Sequence, residues 1–162
     1  MGKDMIDELQ ADWSEQRPDR DLEPMGVVLR IQALAKVLGD QAAARLQEFD
    51  LHWWQYDAMS ALRRQGEPYT MAATDLADDN MLTSGAMTNR IDRLEESGLV
   101  RRIPDKADRS RVLVQLTPKG QRLIEGATEA RFEVATEALE DLSMKQRKSL
   151  QELLRVVLTA QK

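Results

Sequence analysis

The sequence contains no cysteine and only one histidine, His52, and these shortages exclude several kinds of chemistry. Without cysteine there is no disulfide framework, no thiolate nucleophile, no cysteine-based redox sensor and no zinc site with thiolate ligands. One histidine excludes a site built from several histidines, and it leaves the serines without a catalytic triad. A phosphate-binding P-loop and a dinucleotide-binding fingerprint are also absent. We therefore expect neither an enzyme nor a bound metal or cofactor.

Long apolar runs are absent as well, because no stretch approaches the roughly 20 residues that a membrane span requires. The first residues carry Asp4, Asp7 and Glu8 instead of a basic region followed by an apolar one, so no signal peptide is predicted. The 162 residues, of which 42% are apolar and 31% charged, suit one ordinary globular domain. We therefore expect one domain, residues 1–162, in a soluble cytoplasmic protein without a membrane partner.

The charge is unevenly distributed along the chain. The net charge of −5 argues at first against a nucleic-acid partner. Residues 84–122, however, hold nine basic and five acidic residues, so this stretch has a net charge of +4 and the remainder −9. A basic block in an acidic protein is typical of a local phosphate-binding surface, and a mixed solvated face is the alternative.

Apolar periodicity and capping residues predict a mainly helical chain. Helices are expected over residues 5–14, 25–49, 52–65, 70–79 and 84–97. Two more begin at Thr117-Pro118 and at the capping box that starts with Ser143. Two strands, 101–103 and 111–116, flank a turn-rich loop. The predicted fold class is mainly α with a small β-hairpin wing, that is, a winged helix-turn-helix.

The second helix of the predicted helix-turn-helix has an apolar side, formed by Met87, Ile91 and Leu94, and a polar side. Small and hydrogen-bonding side chains with a guanidinium suit base edges in a major groove, and basic residues in a wing can contact phosphates. The alternative is an ordinary polar surface. The candidate DNA-binding residues are Ser84, Thr88, Asn89 and Arg93 of the helix, and Lys106, Arg109 and Arg111 of the wing.

Several linked motifs resemble the signature of MarR-type transcriptional regulators. They are residues 82–95, Gly98-Leu99-Val100, Asp108-Arg109-Ser110 and Leu116-Thr117-Pro118-Lys119-Gly120. The resemblance implies a homodimer that joins through helices in residues 1–50 and 118–162 and places residues 52–117 on a pseudo-palindromic DNA site. It implies repression released by an anionic effector.

A narrower resemblance is to the urate-responsive branch of that family, the PecS-like and HucR-like regulators. It lies in an added N-terminal helix with Trp13 and in the segment that starts at His52. It implies that urate or a related purine binds four residues, Trp13, Asp57, Arg90 and Arg102. An indole offers a stacking face to a flat anion, and arginine offers planar paired hydrogen bonds. On a helical wheel Arg90 lies beside the apolar face and is expected to point toward the protein body.

Other interpretations of these residues stay open from sequence alone. Trp13 is alternatively the buried anchor of the first helix, and Asp57 alternatively forms a structural ion pair with Arg90 or Arg102. The effector is alternatively a phenolic or drug-like anion. A winged-helix module that binds protein and never DNA is a further alternative, and it predicts no salt-dependent DNA affinity.

Overall fold

The computed structural model describes residues 2–105, 107–108 and 111–161, and within them it contains seven α-helices and three β-strands. The helices are α1 (Met5–Gln16), α2 (Glu23–Gln47), α3 (Trp53–Arg64), α4 (Ala73–Asp79), α5 (Ser84–Glu96), α6 (Pro118–Glu137) and α7 (Met144–Thr159). The strands are β1 (Thr70–Ala72), β2 (Val100–Pro104) and β3 (Val112–Leu116). The chain forms two compact units, Met1–Ala42 and Ala43–Lys162.

The first unit is held together by polar contacts between α1 and the beginning of α2. The Asp4 carboxylate caps α1, accepting hydrogen bonds from the backbone N–H groups of Ile6 at 2.9 Å and Asp7 at 3.0 Å. Arg30 of α2 then binds Asp4 at 2.9 Å and Asp7 at 2.7 Å. A Cβ at Gly26 would lie 2.4 Å from the end of the Gln10 side chain, which would have to move to admit it. The added N-terminal helix is therefore present and extends two residues beyond the predicted end at residue 14.

The second unit contains the main hydrophobic core. Helices α3, α4, α5 and α6 and the sheet all contribute to it. Its largest fully buried side chains are Leu46, Met59, Leu62, Leu76, Met87, Ile91, Leu94, Leu116, Ile124, Val100 and Val114. A core of this size fixes α4 and α5 against the sheet, and burial of each large side chain contributes about 1.5–3 kcal/mol.

The sheet has three antiparallel strands in the order β1-β3-β2, so the prediction of a two-stranded wing was incomplete. The helix predicted from residue 70 begins at Ala73, because Thr70–Ala72 pair with β3 instead. Thr70 lies opposite Gln115 and Met71 opposite Val114. The third strand satisfies the backbone of β3 on both sides and attaches the wing to the start of α4.

Capping residues begin α5, α6 and α7 where the sequence predicts. Thr83 accepts a hydrogen bond from Ala86 N–H at 3.3 Å and begins α5. Thr117 accepts from Gly120 N–H at 3.0 Å, and Ser143 begins α7 with a capping box. Gly120 also allows α6 to approach the preceding loop, since a Cβ there would lie 2.0 Å from the Leu99 carbonyl oxygen.

The last helix is apolar on one side but unburied. None of the described α7 residues is buried, and Leu153 is 64% and Leu158 70% exposed. Phe132 of α6 is also exposed. No described helix is both long and apolar enough to cross a membrane.

Candidate DNA interface and effector site

Helix α5 presents a polar face because its apolar face is completely used by the core. Met87, Ile91 and Leu94 are at most 1% exposed. The predicted DNA-binding residues on the other side are all exposed, and they are Ser84, Thr88, Asn89 and Arg93. Gly98, at φ +69°, ends the segment in a left-handed turn that favours glycine. The helix-turn-helix thus turns these four side chains to solvent.

The wing lies beside this face. Arg111 directly precedes β3, and its guanidinium forms an ion pair with Asp75 of α4 at 3.1 Å. Arg111 also lines a cavity of about 260 Å³ together with Thr74, Ser84 and Thr88, so three predicted DNA-binding residues border one groove. The other two predicted wing residues, Lys106 and Arg109, lie outside the described residues.

Arg90 points away from the exposed face, as the helical wheel predicts. It is half-buried, and its guanidinium carbon lies 5.7 Å from the centre of a Trp54 ring on α3. At this distance a cation is attracted to the aromatic face. Arg90 therefore connects the recognition helix to α3.

Asp57 of α3 is the half-buried carboxylate in the same region. Burial raises the pKa of Asp57, although attraction to Arg90 and a hydrogen bond from Trp53 oppose the shift. Arg131 of α6 and Arg64 also attract it. Arg90 thus attracts the Asp57 carboxylate. The two described side chains nevertheless form no direct ion pair, that is, no nitrogen–oxygen contact of 4.0 Å or less.

Arg102 has other partners than the sequence interpretation allows for. Its guanidinium binds Asp92 and Glu95 of α5, each at 2.6 Å. Its backbone N–H donates to the Glu95 carboxylate at 2.8 Å, and this hydrogen bond lowers the pKa of Glu95. The alternative in which Arg102 pairs with Asp57 is therefore wrong for this structure.

The partners of Arg102 also separate it from Arg90. Successive helix residues advance by about 100°, so Asp92 and Glu95 lie roughly 140–200° around α5 from Arg90. Arg90 faces α3, whereas Arg102 is held on another side of the recognition helix. The structure thus does not bring these two of the four predicted effector residues together.

The fourth predicted effector residue, Trp13, belongs to α1 in the unit Met1–Ala42. Its side chain is 47% exposed, so the alternative of a buried anchor does not hold. An exposed indole leaves an aromatic face accessible to solvent.

The structure adds one residue that sequence reasoning missed. The Arg131 guanidinium lies 4.8 Å from the centre of a Trp53 ring and 6.0 Å from the Tyr56 ring, both on α3. Nothing in the local pattern of α6 could have indicated Arg131, because its partners are more than seventy positions away in the chain.

Helices α4 and α5 with the three-stranded wing define the class of the protein as a winged helix-turn-helix. The MarR family model matches residues 51–112. The HTH-type transcriptional regulator PecS of Dickeya dadantii (strain 3937) is 30% identical over 149 residues, which are 92% of this chain and 90% of PecS. The chain therefore belongs to the MarR family of transcriptional regulators.

Solved structures agree on the fold. A mutant MarR from E. coli, complexed with operator DNA, is 22% identical with a TM-score of 0.69, covering 96% of this chain and 99% of that one. The transcriptional regulator BldR from Sulfolobus solfataricus is 27% identical with a TM-score of 0.66, covering 86% of this chain and 96% of that one.

Proposed function

We propose that the protein is a homodimeric repressor that binds a pseudo-palindromic operator and is released by urate or a related anionic purine. The observation that carries this proposal is the position of Arg90. It belongs to the recognition helix, yet its guanidinium packs on Trp54 and is attracted to Asp57 on α3. A ligand at this cluster would act directly on the element that contacts DNA.

The DNA-binding part of the proposal uses the exposed face of α5 and the wing. Ser84, Thr88, Asn89 and Arg93 would contact base edges and adjacent phosphates in the major groove. Arg111, with Lys106 and Arg109, would contact the backbone or the adjacent minor groove. The similarity to operator-bound MarR supports this assignment through the fold.

The homodimer is supported by apolar surface that one chain leaves exposed. Five exposed apolar residues of α7 share one stripe at helical spacing: Leu150, Leu153, Leu154, Val157 and Leu158. Covering this stripe with a second copy would remove it from water, and a two-fold dimer would present two recognition helices to two half-sites. Helices within residues 1–50 and 118–162 would form the contact.

The effector part rests on the chemistry of the cluster and on the resemblance to the urate-responsive branch. Arg90 offers donors to carbonyl or deprotonated ring atoms, and Asp57 accepts a ring N–H. Trp13 supplies a stacking face. Arg102 would join the ligand only after it gives up Asp92 or Glu95, so its role is the least supported of the four.

The mechanism is a shift between two populations of the dimer. The ligand draws Arg90 toward α3 and changes the separation of the two recognition helices, which must match successive major grooves about 10 base pairs apart. A coupling free energy of about 1–3 kcal/mol would weaken DNA binding by roughly 5- to 150-fold.

Fluorescence anisotropy of the DNA upstream of the protein's own gene tests the proposal. We expect wild type to bind with a steep salt dependence and to be released by urate. Arg90→Ala should keep its DNA affinity and lose the response to urate. The matched control, Arg93→Ala on the exposed face of the same helix, should weaken DNA binding with and without urate.

Each contrary outcome removes a different part of the proposal. Wild type that binds no DNA would favour a protein-interaction module. Binding that urate leaves unchanged would keep the regulator and redirect the search to phenolic or drug-like anions. An Arg90→Ala protein that urate still releases fully would exclude the route through Arg90.

A further inference from the structure

We propose that Arg131 is a further effector-binding residue and that it makes the cluster selective for planar monoanions over neutral purines. This inference rests on the function proposed above. It adds helix α6 to a site for which the sequence indicated only α1, α3, α5 and the wing.

The surroundings of Arg131 are those of a positioned guanidinium. It lies over the Trp53 ring at 4.8 Å and near the Tyr56 ring at 6.0 Å, and these two rings are themselves 6.2 Å apart at an angle of 44°. Stacking on aromatic faces fixes the plane of an arginine. The contacts with two rings therefore restrict the position of this donor group before any ligand binds.

The hydrogen-bonding capacity of Arg131 is not used up within the protein. Its Nε is buried, and among residues 2–105, 107–108 and 111–161 it has no hydrogen-bond partner. A buried donor without a partner carries a free-energy cost, which an acceptor that reached it would remove. The same described residues provide no carboxylate within 4.0 Å of this guanidinium.

The charges around Asp57 favour a ligand with one negative charge. Asp57 is attracted by Arg90, Arg131 and Arg64. Arg64 already has a partner, Asp79 at 2.7 Å, which leaves two guanidinium groups for one carboxylate. The cluster thus carries a formal excess of one positive charge, and a bound monoanion would balance it. Urate is a planar monoanion at neutral pH, whereas hypoxanthine has a similar shape and is neutral.

Calorimetric titration of the full-length dimer with urate and with hypoxanthine tests the inference. Arg131→Met keeps the length and packing of the side chain while removing its charge and donors. We expect this variant to bind urate about tenfold more weakly and hypoxanthine with nearly unchanged affinity. Arg131→Lys restores the charge without the planar donors and should recover part of the urate affinity. The matched control is Arg122→Ala, an exposed arginine on the same helix, which should leave both affinities unchanged.

The outcomes separate this inference from the proposed function. If wild type binds urate and Arg131→Met binds it equally well, or loses both purines to the same extent, Arg131 is structural and the inference is overturned while the proposed function stands. If wild type binds no urate, this inference and the urate part of the proposed function are both overturned, while the proposed DNA binding stands. Should Arg131→Met fail to fold, Arg131→Gln also removes the charge, and the same comparison of the two purines decides.

Discussion

At the scale of single residues, Asp57 combines partial burial with three arginine neighbours. Burial raises the pKa of Asp57 above the ordinary 3.8, and the attraction to Arg90 and Arg131 only partly opposes this. The ionised Asp57 carboxylate does not stabilise the folded state, because the charged form is less favourable in the folded protein than in the unfolded chain. The proposed role in ligand binding would explain why an acidic residue occupies this position.

The pH dependence of stability follows from the raised pKa of Asp57. The folded state keeps this proton at a higher pH than the unfolded state, so folding gains from Asp57 as the pH falls from above the raised pKa toward 3.8. We expect the unfolding free energy of wild type, minus that of Asp57→Asn, to increase as the pH falls through this range. Urea unfolding at a series of pH values measures it. Exposed Asp78→Asn is the control, and a flat difference for Asp57→Asn would contradict the prediction.

A site residue's contacts can be predicted from sequence when its partners lie nearby in the chain, and not when they lie on other elements. The direction of Arg90 follows from its angle relative to Met87, Ile91 and Leu94, and the structure confirms it. The partners of Arg102 depend on how β2 packs on α5, and those of Arg131 on how α6 packs on α3. Such contacts between elements leave no periodic signal in the sequence, which is why Arg131 was missed.

At the scale of elements, a group of polar contacts joins the wing to the recognition helix, in addition to the shared hydrophobic core. Arg102, at the centre of β2, makes two guanidinium contacts and one backbone contact with Asp92 and Glu95. The Glu95 carboxylate thereby satisfies a strand N–H and a side chain at the same time. The orientation of the wing relative to α5, and so the shape of the DNA-binding surface, depends on this contact.

Removal of that carboxylate should loosen the wing. We expect Glu95→Ala to lower the free energy of unfolding by about 1 kcal/mol, since it leaves the Arg102 N–H and guanidinium with one partner fewer at a partly exposed position. Thermal unfolding measures the change. The neighbouring exposed Glu96→Ala is the control, and equal effects of the two variants would mean that the contact contributes nothing.

The elements also differ in how well the sequence predicts them. Helix starts at residue 84, at Thr117-Pro118 and at the Ser143 capping box were predicted, because a cap depends on residues three positions apart. Strand β1 was not predicted, since its three residues are too few to display an alternating pattern. Its strand conformation comes from pairing with β3, which is more than forty residues away in the chain.

At the scale of the whole molecule, one chain leaves much of its apolar surface uncovered. Exposed Leu, Val and Met side chains line α7, and exposed Val and Leu side chains also occur along α2. Isolated apolar residues on a surface are ordinary, whereas a continuous apolar stripe marks an interaction surface. The proposed dimer covers such a stripe with a second copy of the same helix.

Charge placed on the α7 stripe should therefore separate the subunits. We expect wild type to sediment near twice the 18.4 kDa chain mass and Leu153→Glu near the chain mass itself, because a carboxylate in an apolar contact must be desolvated. DNA binding should weaken about 100-fold in the same variant, since one subunit engages only one half-site. Thr159→Glu introduces the same side chain on the side of α7 opposite the stripe and should leave both properties unchanged. A Leu153→Glu protein that still sediments as wild type would place the dimer contact elsewhere, and loss of DNA binding without dissociation would assign α7 to a role within the subunit.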